Sequence, residues 1–388
     1  MKLKPQTGNS EPHTPELPLP PVSKLTRERL EPYGDVIASD YEDYKRDFLQ
    51  WLLARGKNTY KNKGYAETTV KHTSYKVDEA YRWKWDRDEE YTTEFRPETA
   101  SELIEFMIRY TEHPDRYVYN VEKCVRRLFK FLRDERGRDI PTWDHDIPLE
   151  KTEGSSEHIK DKFYPREMNA IYEAALKKFS FPTLYSSAIS AHERERLKNL
   201  LSARHGIPKD TITKETFESA SSWKMPSMIA VTADTGLRPI EVGRAKASWF
   251  DLDREMMVVP AKDATKNKEF WNCTLSSKSV NAVSNWLDER EKYDEYRDES
   301  AMWLTRYSNT YGCKSLNRIL NDLMDLAEVS QRTRNLSWYS FRHGAATAWI
   351  NKHGLSKAKN QLRHKSIKTT EKYKREGQHE SGGGESFW

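Results

Sequence analysis

The sequence predicts a mainly helical chain with one small β-hairpin, divided into two domains. Three observations carry that expectation. Apolar residues recur at helical spacing over residues 38–138 and again from about 161 onward. One place only, "MMVVP" and "FWNCTLS" joined by the polar "AKDATKNKE", reads as paired strands. Between the two helical blocks, "RDIPTWDHDIPLEKTEGSSEH" carries two prolines, a Gly-Ser-Ser and no period, as a linker does. At 388 residues the chain exceeds one typical domain, and 36% hydrophobic content still supports packed cores.

Taken in order, residues 1–37 read as a disordered, Pro-rich lead. Tyr44, Phe48 and Leu52 then fall on one helical face. "YAETTVKHTSYKVDEAYRWKW" continues helically, with Val70, Val77 and Tyr81 as core positions. In "ETASELIEFMIRY", Thr99 is a candidate cap, and Leu103, Met107 and Tyr110 line a face. "VYNVEKCVRRLFKFLRDERG" buries Val121, Val125, Leu128 and Leu132 and stops at Gly137. The linker spans 139–160, a second domain 161–378 and a flexible tail 379–388. That second domain opens on "YPREMNAIYEAALKKF", with proline in the first helical turn. "PSMIAVTADTG" reads as a buried helix closed by a left-handed Gly236, and "LRPIEVGRAK" starts the next, with Pro239 in its first turn. From Ser315 the pattern is helical again.

Composition excludes several classes. No run approaches the roughly 18 apolar residues of a membrane span, and the N-terminus lacks the apolar core of a signal peptide. An intracellular protein is expected. Cys124, Cys273 and Cys313 are scattered and without CxxC spacing, which argues against a disulfide framework and a zinc site. Net charge is +5, a mild excess that permits nucleic acid as partner. Its distribution says more: Leu355–Arg375 holds eight Lys/Arg and one Glu.

Three short segments carry candidate chemistry. Arg238 follows a glycine turn at the mouth of a helix, and Glu241, one turn on, is placed to fix its guanidinium. In "SWYSFRHGAATAW", a cap at Ser337 puts Tyr339, Arg342 and His343 on one face, with Phe341, Ala345 and Trp349 on the buried side. Near the end stand His364 and, nine residues on, Tyr373 in a strongly basic stretch. Singly, each also reads as ordinary surface or packing; their order and spacing are what is distinctive.

"TGLRPIEV", "YSFRHGAAT" and "LRHKSIKTTEKY" resemble, in order, the three signature boxes of the tyrosine recombinase (phage integrase) family. Arg238, Arg342, His343, His364 and Tyr373 match the family positions. The resemblance implies a helical, SAM-like core-binding domain at 38–138 and a mixed α/β catalytic domain. It also implies strand transfer through a 3′-phosphotyrosine on Tyr373, with the arginines on the phosphate oxygens and Glu241 and His343 in support. A hairpin lysine is implied as the acid that protonates the leaving 5′-hydroxyl. Counting back nine residues from Leu275 selects Lys266, with Lys262 as rival in the longer loop.

Two departures stand out. Tyr339 replaces the usual histidine of the second box, which implies a positioning role, since a phenol is a poor proton acceptor near neutrality. Arg363 replaces a glycine, and a left-handed turn there costs about 1–2 kcal/mol, to be offset by an added phosphate contact. Lys262, Lys268, Arg363 and Lys365 are the expected DNA contacts. No metal or other cofactor is called for. The expected partners are double-stranded DNA and further copies of the chain, four at a synapse, with room for an accessory DNA-bending or directionality factor and no membrane. The implied setting is the cytoplasm, on the nucleoid, of a prokaryote or its virus or plasmid. Two other readings remain: a type IB topoisomerase-like enzyme, and a catalytically silent DNA-binding regulator of the same fold.

Overall fold

The computed structural model of the chain describes residues 15–145, 147, 161–182, 186–187, 189–264, 269–371 and 373. The chain divides into two compact units, Met1–Ser155 and Ser156–Trp388. Most of the expected 139–160 linker and the whole 379–388 tail lie outside the described residues.

The first unit is a helical bundle of α1 (Lys24–Leu30), α2 (Asp35–Ala54), α3 (Glu67–Asp88), α4 (Pro97–Tyr110) and α5 (Asp115–Asp134). Its core follows the apolar periods. Phe48 and Leu52 of α2, Val70, Val77 and Tyr81 of α3, Leu103 and Met107 of α4, and all four α5 positions are buried. Gly137, at φ 63°, turns the chain out beyond α5.

Three expectations need correcting here. Residues 1–37 are not uniformly disordered: α1 forms, and Val22 and Leu30 enter the core. The reason is polar as well as apolar, since the Ser23 N–H donates to Asp78 Oδ2 at 2.9 Å. Thr99 does not cap α4, because Pro97 already occupies the first turn and Arg96 is the cap position. Tyr110, at the last turn of α4, is exposed rather than on the buried face.

At the centre of this bundle lies a buried ion pair. Lys45 Nζ is 2.6 Å from Asp78 Oδ1, and neither side chain is exposed. Lys45 also donates to the Ser74 carbonyl, and Tyr41 donates to Asp78, so each charge is hydrogen-bonded. Burial lowers the Lys45 pKa; burial acts to raise that of Asp78, but the Lys45 charge and the hydrogen bonds from Lys45 and Ser23 together outweigh it and the net shift is downward.

The second unit contains α6 (Pro165–Lys178), α7 (Ala191–His205), α8 (Lys214–Ser219), α9 (Lys224–Thr235), α10 (Pro239–Arg244), α11 (Ser277–Arg290), α12 (Cys313–Leu326), α13 (Trp338–Gln361) and α14 (Ile367–Glu371). Its sheet is antiparallel, in the order β1 (Phe250–Asp251), β2 (Met256–Val259), β3 (Trp271–Thr274), with Met257 opposite both Phe250 and Cys273. The short β1 joins the two strands expected from the sequence.

Helix α9 is the spine of this unit, buried from Met225 to Thr235. It ends as the sequence predicts, at Gly236 in the left-handed conformation, φ 58°. The Asp234 carboxylate accepts from the backbone N–H and hydroxyl of Ser276, capping the approach to α11. Gln361 holds α13 to β3, taking the Thr274 N–H and donating to the Thr274 carbonyl. Helices α7 and α8, which the sequence reading passed over, form a satellite core of Phe181, Leu197, Leu201, Ile212 and Phe217.

Candidate active site

Three separated segments meet beyond the C-terminal end of α9. The first is the turn 236–241. Arg238 sits at the cap of α10, its N–H and its guanidinium both donating to Glu241, at 2.9 and 3.1 Å. That reciprocal arrangement draws on Pro239 in the first turn, which has no N–H to satisfy.

The second segment is the first half of α13. The expectation of one polar face is corrected: from Phe341 to Thr347 the helix is buried all round. Arg342 is wholly buried yet spends its donors well, on the Gly236 carbonyl and the Leu362 carbonyl, both at 2.6 Å. It therefore ties the first segment to the third. Burial, then the charges of Arg238 and Arg363, push its pKa down to about 10, so it remains a cation at neutral pH. Tyr339, half-buried, lies with its ring 5.1 Å from that of His343.

The third segment follows α13. Gly354, at φ 80° and ψ 168°, bends that helix, and the chain then turns at Arg363, φ 58°. The left-handed conformation expected of this non-glycine residue is present, but the compensation differs from the one expected. The Arg363 guanidinium is buried, not offered to solvent, and donates to Glu241 Oε2 at 2.6 Å and to Cys273 Sγ at 3.5 Å. Burial works against its charge, but Cys273 and Glu241 outweigh that and hold its pKa above the ordinary value. Glu241 is thus clasped between two arginines, Arg238 and Arg363.

His364 and Tyr373 complete the cluster. Their rings stack, 6.0 Å apart and 7° from parallel, and the His343 ring meets Tyr373 edge-on at 5.1 Å. His364 Nδ1 is 2.9 Å from the Thr370 hydroxyl. Burial first, then the positive field of Arg342, Arg238 and Arg363, drives the His364 pKa down to about 3. This imidazole is neutral at any physiological pH. Tyr373 is 8% exposed and packs with Ala345, Ala346 and Leu362.

Arg238, Glu241, Tyr339, Arg342, His343, Arg363, His364 and Tyr373 are therefore brought together. Lys365 is exposed beside them, and Lys262 is exposed on the hairpin. Lys266 and Lys268 lie outside the described residues. Thr370 was missed in the sequence, although a threonine between the histidine and tyrosine is part of the third box. The Arg363–Glu241 pair had no sequence signal, because 122 residues separate its partners.

Residues 209–380 match the model of the Phage integrase family. The chain carries a phage integrase domain. Its boundaries enclose all eight clustered residues. No curated protein sequence matches the chain. Among solved structures, the fold of this chain is similar to that of the XerH site-specific recombinase bound to palindromic difH substrate in a post-cleavage complex. That match has a TM-score of 0.54 and 13% identity and covers 92% of this chain and 91% of XerH. XerH in a pre-cleavage complex with difH substrate matches with a TM-score of 0.51 and 15% identity, over 93% and 90%. The fold is that of the tyrosine recombinases. Among the described residues of the chain, no helix is long and apolar enough to cross a membrane.

Proposed function

We propose that the chain is a site-specific DNA recombinase that cuts and rejoins strands through a covalent 3′-phosphotyrosine at Tyr373. The observation that carries this reading is the meeting of Tyr373 with His364 and His343 in the same cluster as Arg238 and Arg342.

The chemistry follows from the residues. The Tyr373 oxygen attacks the scissile phosphorus as its proton passes to solvent, the bond to the 5′-oxygen breaks, and that oxygen leaves as a hydroxyl after taking a proton. Negative charge builds on the two non-bridging oxygens as the phosphorane forms, and fixed guanidinium donors stabilise it most where it develops. Arg238 is oriented by Glu241 for this role. Arg342 contributes its charge, and its two backbone bonds hold the segments in register. A neutral His364 keeps one ring nitrogen able to accept a hydrogen bond from a phenol, while its N–H can be donated to an acceptor oxygen. Tyr339 supplies a hydroxyl donor for a phosphate oxygen. The proton for the 5′-oxygen comes from Lys266 or Lys262. No step requires a metal ion. Strand exchange between two duplexes calls for four copies of the chain on DNA.

The experiment is trapping. Nicked suicide duplexes from the chain's own genomic flanks are incubated with wild type and Tyr373→Phe, and SDS-resistant adducts are counted. An adduct with wild type only is the expected result. DNA binding without an adduct on any flank would favour the silent-regulator reading, and relaxation of any supercoiled plasmid would favour a topoisomerase.

A further inference from the structure

A proton donor is effective only where it is held within reach of the atom it serves. The connection between β2 and β3 carries Lys262 and Lys266, and side chains from elsewhere in the chain hold its two arms in place.

Strand β3 is an edge of the sheet and pairs with β2 on one side. On its other side, at Thr274, a single side chain of α13 stands where a neighbouring strand would be. Gln361 Oε1 accepts from the Thr274 N–H at 3.0 Å, and its Nε2 donates to the Thr274 carbonyl at 2.8 Å and to the Asp234 carbonyl at 3.1 Å. Gln361 is 4% exposed, and both ends of its amide are matched. A leucine there has neither donor nor acceptor, and a carboxylate would face two carbonyls with no hydrogen to give. Cys273 tightens the same join: its thiol donates to the Gln361 carbonyl at 3.4 Å and accepts from the Arg363 guanidinium at 3.5 Å. Because β3 is as short as Trp271–Thr274, a shift at Thr274 is carried along about 10 Å of strand to the start of the connection.

The arm on the β2 side is fixed separately. The Asp263 and Ala264 N–H groups both donate to the Pro260 carbonyl, at 3.0 and 3.2 Å, which closes a turn directly after the strand. The Asp263 carboxylate accepts from Lys246 Nζ at 2.9 and 3.0 Å and from the Trp249 indole N–H at 3.3 Å. Each arm is thus tied to the body of the unit by a polar side chain that spends its hydrogen-bonding groups on that tie.

We propose that Gln361 and Asp263 are positioning residues for proton transfer to the leaving 5′-oxygen, fixing the two arms between which the donor lysine is carried. The proposal rests on the recombinase reading and adds to it what holds the donor. In the step itself the bond from phosphorus to the 5′-oxygen breaks, that oxygen takes a proton from the lysine ammonium, and the lysine is left neutral.

The test replaces the bridging 5′-oxygen of the nicked suicide duplex by sulfur. A thiol has a pKa of about 8.5, so the sulfur leaves as a thiolate with no proton supplied, and a defect confined to proton delivery disappears. Single-turnover adduct rates of the full chain are measured on the oxygen and sulfur duplexes. Gln361→Leu and Asp263→Asn are each expected to slow the oxygen duplex by about 10–100-fold and to match wild type on the sulfur duplex. Arg238→Ala, which loses charge stabilisation rather than a proton, is expected to be slow on both. Of Lys262→Ala and Lys266→Ala, the variant that sulfur rescues marks the donor. The ratio of the two rates in one preparation cancels any loss of folded protein, and half-buried Asp263 gives a second reading where Gln361→Leu lowers the melting temperature. Equal slowing on both duplexes, or the wild-type rate on the oxygen duplex, removes the variant residue from this role and leaves the recombinase reading standing. Rescue of neither lysine variant overturns the proposal for both residues. Wild type that forms no adduct on either duplex overturns it together with the recombinase reading.

Discussion

Arg363 stands where the phage integrase pattern that this site resembles has glycine. A left-handed arginine costs about 1–2 kcal/mol against glycine, and here the return is a second grip on Glu241. Arg363 is a positioning residue, acting on Arg238 through that carboxylate. Arg363→Gly is therefore expected to slow adduct formation on the order of tenfold while leaving the melting temperature near wild type, because strain relief offsets the lost pair. A merely structural role would lower the melting temperature instead. Arg238→Ala and Arg342→Ala should each cost about 2.7–4 kcal/mol of transition-state stabilisation, read as single-turnover adduct rates. Tyr339→Phe should cost less than either; a variant as inactive as Tyr373→Phe would show that Tyr339 does more than position the phosphate.

His364 makes a prediction about acid. Its pKa in the folded chain, about 3, lies below the unfolded value of about 6.5. Between those limits the unfolded chain binds more protons, so stability is full above pH 6.5 and falls as pH drops toward 3. Denaturant melts from pH 7 to 4 should show a shallower loss in His364→Gln than in wild type.

At the scale of elements, two joints hold the molecule's parts in place. Lys45 on α2 and Asp78 on α3 are both inaccessible to water, and removing one partner leaves a buried charge. Lys45→Ala is expected to destabilise the first unit by about 3–5 kcal/mol, whereas Lys45→Met with Asp78→Leu should cost far less. The other joint is the end of α9. A Cβ at Gly236 would stand 2.7 Å from Leu362 Cδ2 and 3.2 Å from Arg342 Cγ, at a φ that side chains resist. Gly236→Ala should thus lower both stability and adduct yield, since the same displacement moves Arg342.

For the whole molecule, each unit has its own apolar core. Separate cores make separate cooperative transitions the expectation in calorimetry. Lys45→Ala should shift one transition and Gly236→Ala the other. A single transition moved by both would mean that the units unfold as one.

Much of this was written in the sequence. Helical periods in residues 38–138 marked Phe48, Val77, Leu103 and Leu128 as core, because a helix repeats every 3.6 residues and burial selects the matching face. Gly236 and Pro239 announced a helix end and a helix start through their own backbone preferences. The order of the three boxes located Arg238, Arg342, His364 and Tyr373. What tertiary structure alone decided was which side chains point inward at once. It buried Arg342 and Arg363 and gave Glu241 two arginine partners. It also set the His364 pKa far below its ordinary value and drew Val22 and Leu30 into the first core. Those outcomes depend on groups distant in the chain converging into a region of low dielectric. Local periodicity carries no information about such pairs.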